Sequence, residues 1–330
     1  MRKSWKIGEK WSESDKRISV FTFQGRHGIG LSYFISMKRL DFSGKIEDVA
    51  WKATNHAIDI VERFYVQYDS IFTIESEKES ISGFQTILEI QHDKHAMALA
   101  RYGTFEEWFV VLEVDGEDIG GINFSVMPVR GSMDSGPAVG IHASYGFISK
   151  RSRGTGKSKI LFNIVRKIAS RHVGKQFILF EMNDALKMPT TLLEKDIKSS
   201  GIHPVDRWLV SSAWGAKVLC FPYAQPSLDK KSPGEDSLVL FTMEGVPLDA
   251  IHLQQHLETF FNLSVLKGAD SRLLPEAGSQ IQECQKNRGS KIQVRCLRPH
   301  LQELREVVDR RLLVGGDESV RLYQWLIDRE

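Results

Sequence analysis

The residues best suited to chemistry lie in one segment, Arg151-Ser152-Arg153-Gly154-Thr155-Gly156-Lys157-Ser158. Two glycines two residues apart let a backbone come close to a bulky anion. A helix is expected to start near Lys157, and its first-turn amides and dipole favour a phosphate there. Arg151, Arg153 and Lys157 add charge-assisted donors. The surroundings agree. From Ser135 to Phe180 there is no Asp or Glu, while Lys150, Arg151, Arg153, Lys157, Lys159, Arg166, Lys167, Arg171 and Lys175 are basic. A local cationic field of this kind suits a nucleotide or cofactor phosphate. The plain alternative is a solvated helix face balanced by acids elsewhere.

Other constellations carry less. Gly154-Thr155-Gly156-Lys157-Ser158 ends like a Gly-x-x-x-x-Gly-Lys-Ser/Thr phosphate loop, but Arg151 stands where that loop needs glycine. The next apolar strand ends in Glu181 rather than in a magnesium-binding Asp. His252 and His256 lie one helical turn apart, without the Glu of a His-Glu-x-x-His motif or an evident third ligand. No metal is expected there, nor at His92 and His95. Gly25, Gly28 and Gly30 are out of order for a dinucleotide fingerprint and read as a hairpin turn. There is no Gly-x-Ser-x-Gly elbow. Cys220, Cys284 and Cys296 are sparse and lack Cys-x-x-Cys spacing, so neither a disulfide framework nor a zinc site is expected. Cys220 reads as a core residue of a buried strand. A reducing, cytoplasmic home is the expectation.

These residues need elements to position them. The alternation in Ile18–Phe23 and Leu31–Met37 predicts a hairpin. Val49, Ala53, Ala57, Ile60, Val61 and Phe64 predict a helix over 46–68, and a second is expected over 81–90. Strands are predicted at 108–114 and 119–126 around the turn Asp115-Gly116. A strand at 139–148, the glycine loop, a helix at 157–171 and an apolar strand at 177–181 follow. A helix over 205–214 ends at Gly215, a good position for a left-handed cap. Strands at 218–221 and 238–243 and helices at 248–263, 301–313 and 319–329 complete the reading.

Composition sets the outer limits. The chain has 330 residues, 44 basic and 42 acidic, for a net charge of +2. That length suggests about two domains, or one with additions. An apolar fraction of 42% with 26% charged residues is that of a soluble globular protein. No run approaches the roughly 18 apolar residues of a membrane span. Residues 1–17 are charged and show no signal-peptide core. The near-zero net charge speaks against a general nucleic-acid binder, as does the lack of interleaved aromatics in the basic stretch.

Arg-x-x-Gly-x-Gly after a strand and before an amphipathic helix resembles the acyl-coenzyme A pyrophosphate loop of the GNAT superfamily of N-acyltransferases. The element order around it is similar, with a hairpin and a strand before the loop and a helix, strand, helix and two strands after it. Trp214-Gly215-Ala216 resembles the helix-to-strand passage that ends the family's core. Glu181-Met182-Asn183, Asp206-Arg207, Gly215-Ala216 and Tyr223-Ala224-Gln225-Pro226 resemble a bacterial GNAT-like group. The resemblance spans about residues 46–265.

The resemblance implies an α/β protein of the α+β type: a mixed, mostly antiparallel sheet flanked by helices. Residues 1–45 would be an N-terminal β-rich extension, 46–265 the acyltransferase domain and 266–330 a C-terminal helical appendage. It implies acetyl-coenzyme A, or another acyl-coenzyme A, held by Arg151, Arg153, Gly154, Thr155, Gly156 and Lys157. The strand 139–148 would splay from its neighbour at a bulge near Gly146, with Phe147 and Ile148 as backbone contacts to the pantetheine and thioester. An amine of unknown identity would attack the thioester directly, with Glu181 as base and His142 or Tyr145 as alternatives. Many family members carry a tyrosine acid where this chain has Ser211, so Tyr223 is the candidate acid. Glu75, Glu77 and Glu79 would face a cationic acceptor. Each role has a plain counterpart: Glu181 paired with Arg207, His142 a satisfied histidine, Tyr223 packing alone, the acids a solvated face. Three other functions stay open: a GNAT fold that binds its ligand without catalysis, an ATP-dependent phosphotransferase and, less supported, a nucleic-acid binder through the basic stretch 150–175.

Overall fold

The computed structural model describes residues 21–25, 28–32, 39–72, 74, 78–94, 105–131, 136–228, 234–243, 247–315 and 320–329. An N-terminal hairpin pairs Phe21–Gly25 (β1) with Gly28–Ser32 (β2). Strands Asp41–Ile46 (β3) and Val49–Thr54 (β4) precede helices Ile58–Ile71 (α1) and Ile81–Glu89 (α2). Strands Glu106–Val114 (β5), Glu117–Val129 (β6) and Ala138–Ile148 (β7) come next. Helix Ser158–Ala169 (α3) leads to strand Lys175–Asn183 (β8), and helices Thr190–Ser200 (α4) and Pro204–Ala213 (α5) to strands Lys217–Leu219 (β9) and Leu238–Thr242 (β10). Strand Leu248–Asp249 (β11), helices Ala250–Thr259 (α6) and Pro275–Lys286 (α7), and strands Lys291–Ile292 (β12) and Val294–Arg295 (β13) follow. Helices Leu301–Val314 (α8) and Leu322–Ile327 (α9) close the described chain.

Nine strands form one sheet in the order β13-β9-β10-β8-β7-β6-β5-β4-β3. Only β7 and β8 run parallel among these neighbours, joined by the crossover through α3. This mixed, mostly antiparallel sheet flanked by helices is the expected architecture. The turn at Asp115 and Gly116, with φ of 52° and 81°, closes the β5–β6 hairpin as the sequence predicts.

Helix packing follows the sheet's two-residue alternation. Ile178 and Phe180 of β8 join Ile160, Leu161, Ile164, Val165 and Ile168 of α3 in one core, which also takes in Trp208, Leu304 and Trp325. Phe177 and Leu179 face the other way, against Leu253, Leu257 and Phe261. Helices α1 and α2 cover the same side, with Phe64 and Phe84 packed on Phe109 of β5. The two layers together bury the sheet, and apolar burial of this kind dominates stability.

Three expectations need correction. Residues 46–68 are not one helix. Val49, Trp51 and Ala53 are buried at alternate positions, so 49–54 is a strand paired with β5. The Thr54 hydroxyl accepts the Ala57 amide at 2.8 Å, and α1 starts only at Ile58. Residues 248–263 are not one regular helix either: α6 passes at Phe260 into a π-helical turn through Val265. Cys220 lies just past β9 and is half-buried, whereas Cys284 is the buried cysteine. The sheet also crosses the expected segment boundaries. Strand β3 spans 45/46, and β13 returns from the C-terminal region to pair with β9.

Candidate active site

The site grows from the parallel pair. The β7–β8 register runs from Ala138↔Lys175 to Ala143↔Phe180 and stops there. Beyond it β7 continues to Ile148 against β6, and β8 continues to Asn183 against β10. The two strands therefore part, and among the described residues the β8-facing edge of β7 after Ala143 has no ladder partner. The β6–β7 register slips between Asn123↔Tyr145 and Phe124↔Ala143, which leaves Ser144 as the extra residue. The bulge is thus at Ser144, not at the expected Gly146, which pairs with Ile122. Its effect is to change the alternation. Gly140 and His142 face α6, and after the extra residue Tyr145 and Phe147 face α1 rather than the opposite core.

Glu181 leaves β8 on the same face as His142. Its Oε1 is 3.1 Å from His142 Nε2 and accepts the Tyr223 hydroxyl. Glu181 does not pair with Arg207, which is bound to Asp196. His142 Nδ1 in turn lies 3.1 Å from His256 Nε2 on α6. Phe260, where the helix turns π, stacks on His142 at 3.6 Å and 11°. Four side chains from β7, β8, α6 and the loop after β9 thus form one buried polar chain, Tyr223–Glu181–His142–His256. His142, His256 and Tyr223 are fully buried, and only Glu181 keeps an exposed edge, with 12% of its side chain accessible.

Burial, and then the neighbouring His142, hold His256 well below the usual histidine value, so it is neutral at pH 7. A neutral imidazole has one N–H. His256 Nδ1 is buried without a partner, which assigns the proton to Nε2. His256 therefore donates to His142 Nδ1, and His142 donates through Nε2 to Glu181. Burial, with the Glu181 carboxylate beside it, pushes the Tyr223 phenol well above the usual tyrosine value. It stays protonated and donates to Glu181. Desolvation likewise pushes Tyr145 up. Neither Tyr145 nor His142 then offers a free basic site, and Glu181 does: its described hydrogen bonds all fall on Oε1, leaving Oε2.

The glycine loop lies directly after β7, between that strand and α3, as predicted. Gly154 and Gly156 have φ of 77° and 75°, and a Cβ on either would meet only open space. None of the described hydrogen bonds uses the amides of Gly154 through Ser158. Lys157, the helix cap, supplies no side-chain cap bond. Arg151 makes an exposed ion pair with Glu117 at 2.6 Å, and the partly covered Lys157 lies 3.5 Å from the exposed Asp48. Exposed pairs are weak and are readily exchanged for another anion. Arg153 is different: it donates to the Ile148 and Ser200 carbonyls, tying the loop to β7 and α4.

Further residues line the parted strands. Tyr145 packs on Tyr68 at 4.8 Å and shares a hydrogen bond with it. Tyr68 accepts the Glu79 amide at 2.7 Å. Glu79 is buried and paired with Lys267 rather than solvated, and Glu75 and Glu77 lie outside the described residues. Ser211 is spent on the Arg207 carbonyl and the Met182 sulfur. The Ser144 bulge and the pairing of His256 with His142 were not foreseen. The spacing of His252 and His256 put both on one helix face, but nothing local links α6 to a strand 114 residues earlier.

No protein-family model matches the chain, and no curated protein matches it. Solved structures similar to it include several acetyltransferases, one of them described as of the GNAT family, over roughly half the chain and at low identity. A GNAT-family protein from Desulfovibrio desulfuricans is 12% identical, covering 60% of this chain and 99% of its own, with a TM-score of 0.34. NAA60 of Arabidopsis thaliana, in complex with a bisubstrate analogue, is 14% identical, with 59% and 97% covered and a TM-score of 0.35. A chain of the NatC complex bound to Gag peptide and CoA is 13% identical, with 59% and 98% covered and a TM-score of 0.35.

Proposed function

We propose that the chain transfers an acyl group, most simply acetyl, from an acyl-coenzyme A to an amine. The observation that carries this reading is the parting of β7 and β8 beyond Ala143 and Phe180, with the Glu181 carboxylate at its edge. The loop fits the group this reading requires. Five consecutive undonated amides and two glycines beside open space make a cradle for a diphosphate. The amides of Gly154, Thr155, Gly156 and Lys157 and the side chains of Arg151 and Lys157 would hold it, with Arg153 bracing the loop. The main chain of Phe147 and Ile148, on the unladdered edge of β7, would hold the pantetheine and polarise the carbonyl.

Acyl-coenzyme A supplies the activated thioester carbonyl. The protein's own residues manage the amine proton. An alkyl amine of pKa near about 10 is mostly ammonium at pH 7. Glu181 Oε2 takes that proton, directly or through one water, while Oε1 is held by His142 and Tyr223. Tyr223 is fully buried and offers no face to a sulfur, so the acid role expected of it passes to a positioning role. The proton restored to the departing thiolate comes from Glu181 or from water.

Thiol release from acetyl-coenzyme A in the presence of a panel of primary amines tests this. Wild type should release thiol only with an amine present. Glu181→Gln should lower kcat by about 10² or more with an unchanged KM for acetyl-coenzyme A. Full turnover in Glu181→Gln would remove the base assignment. Acetyl-coenzyme A binding with no amine-dependent release would leave the loop reading and remove the transfer.

A further inference from the structure

We propose that His256 is a positioning residue of this site, acting through His142 to hold Glu181 as a one-sided proton acceptor. This deepens the function proposed above and rests on it for the role of Glu181. Three observations converge. The first is connectivity: His256 Nε2 lies 3.1 Å from His142 Nδ1, and His142 Nε2 lies 3.1 Å from Glu181 Oε1. The second is the buried, unpartnered His256 Nδ1, which leaves one placement for the proton of a neutral ring. The third is a space kept for the ring. A Cβ on Gly140 would sit 2.4 Å from His256 Nδ1 and 2.9 Å from Phe177 Cζ, so β7 accepts this histidine only because position 140 is glycine.

The consequence is a fixed tautomer. With its Nδ1 occupied by the His256 donor, His142 keeps its proton on Nε2, aimed at Glu181. The carboxylate is then tethered through Oε1 alone, and Oε2 is left to the amine. Without the His256 donor, His142 is free to place a proton on Nδ1. It then presents a lone pair to Glu181 in place of the Nε2–H donor, and the tether on Oε1 is lost. The groups that bear on Glu181 are His142 and Tyr145 from β7 and Tyr223 from the loop after β9. Those that bear on His142 are Glu181 from β8 and His256 from α6, with the Phe260 ring stacked on it.

The test is long-range ¹H–¹⁵N NMR of the full chain labelled on histidine nitrogens, which needs no acceptor. Wild type should show His142 and His256 each as a single Nε2–H tautomer. In His256→Gln, whose amide can still donate, the His142 pattern should be retained. In His256→Leu it should be lost. In a thiol-release assay with acetyl-coenzyme A and an accepted amine, His256→Leu should lower kcat about tenfold or more, with KM for acetyl-coenzyme A unchanged and His256→Gln within about threefold of wild type. A His142 tautomer unchanged in His256→Leu overturns the proposal. If that variant does not fold, a wild-type His256 protonated on Nδ1 overturns it equally. The expected tautomers with no amine-dependent turnover would support the positioning and count against the transferase reading alone.

Discussion

At the scale of single residues, the site depends on which polar atoms are spent and which are left. Tyr223 spends its hydroxyl on Glu181 and packs its ring against Phe261. Tyr223→Phe keeps the ring and deletes one charge-assisted bond, worth about 1.5–3 kcal/mol in general. The expected result is a drop in kcat of about tenfold or more, with folding retained. The phenol is held well above its usual value, so it does not ionise in the assay range. The alkaline limb of the kcat profile should therefore be the same in Tyr223→Phe as in wild type. A limb present in wild type and absent in the variant would return Tyr223 to the role of acid. Position 142 shows the limit of sequence at this scale. A histidine on an apolar strand reads first as a satisfied histidine and only second as a catalytic one, and its partners come from 39 and 114 residues away.

At the scale of elements, the strand–loop–helix unit carries the cofactor reading. Gly154 and Gly156 hold positive φ with free space around them, so glycine suits the backbone and, on the proposed function, would leave an anion room to approach. Gly154→Glu adds backbone strain and a negative charge to the cradle. The dissociation constant for coenzyme A should rise more than tenfold, measured by calorimetry, while the circular dichroism spectrum stays that of wild type. An intact affinity would mean the loop is structural. Much of this element was legible in the sequence, because two glycines, a helical apolar stripe at 160–168 and a strand on either side are all local signals. The segment 46–68 misled because Val49, Ala53 and Ala57 fit a helical period as well as Val49, Trp51 and Ala53 fit a strand. Pairing with β5 decided between them, and that contact is not local. The bulge escaped for a related reason. Gly146 looked the natural place for it, but the register is set by where β6 and β7 side chains bury, which puts the extra residue at Ser144.

At the scale of the whole molecule, the chain beyond β10 is built into the sheet and the site. Helix α6 supplies His256, and β13 extends the sheet edge. Arg311 donates to the Ala185 and Met188 carbonyls, and Arg321 to the Tyr223 carbonyl at 2.7 Å. The Leu322 amide donates to Asp184, three residues beyond Glu181, at 2.8 Å. Burial pushes the Asp184 carboxyl up to about 6 against these hydrogen bonds. A carboxyl raised in the folded state binds its proton more tightly there than in the unfolded chain. Its contribution to stability is therefore present below about pH 4 and lost as pH rises through about 6. The unfolding free energy should gain on the order of 3 kcal/mol from this group between pH 7 and pH 4. In Asp184→Asn that part of the slope should vanish, as read from urea unfolding at several pH values. An identical slope in the variant would remove Asp184 from this role. Among the described residues no helix is long and apolar enough to cross a membrane.

The measurement that bears most directly on the central claim is a thermal-shift titration of the full chain with acetyl-coenzyme A, coenzyme A and Mg-ATP in parallel, in wild type and Gly154→Glu. A ligand at 100 times its dissociation constant stabilises by about 2.7 kcal/mol, a readily measured rise in Tm. The account predicts a rise with both coenzyme A ligands in wild type, none with Mg-ATP, and a much weaker response in Gly154→Glu. No shift with the coenzyme A ligands, or a shift with Mg-ATP alone, would contradict it and assign the glycine loop to another chemistry.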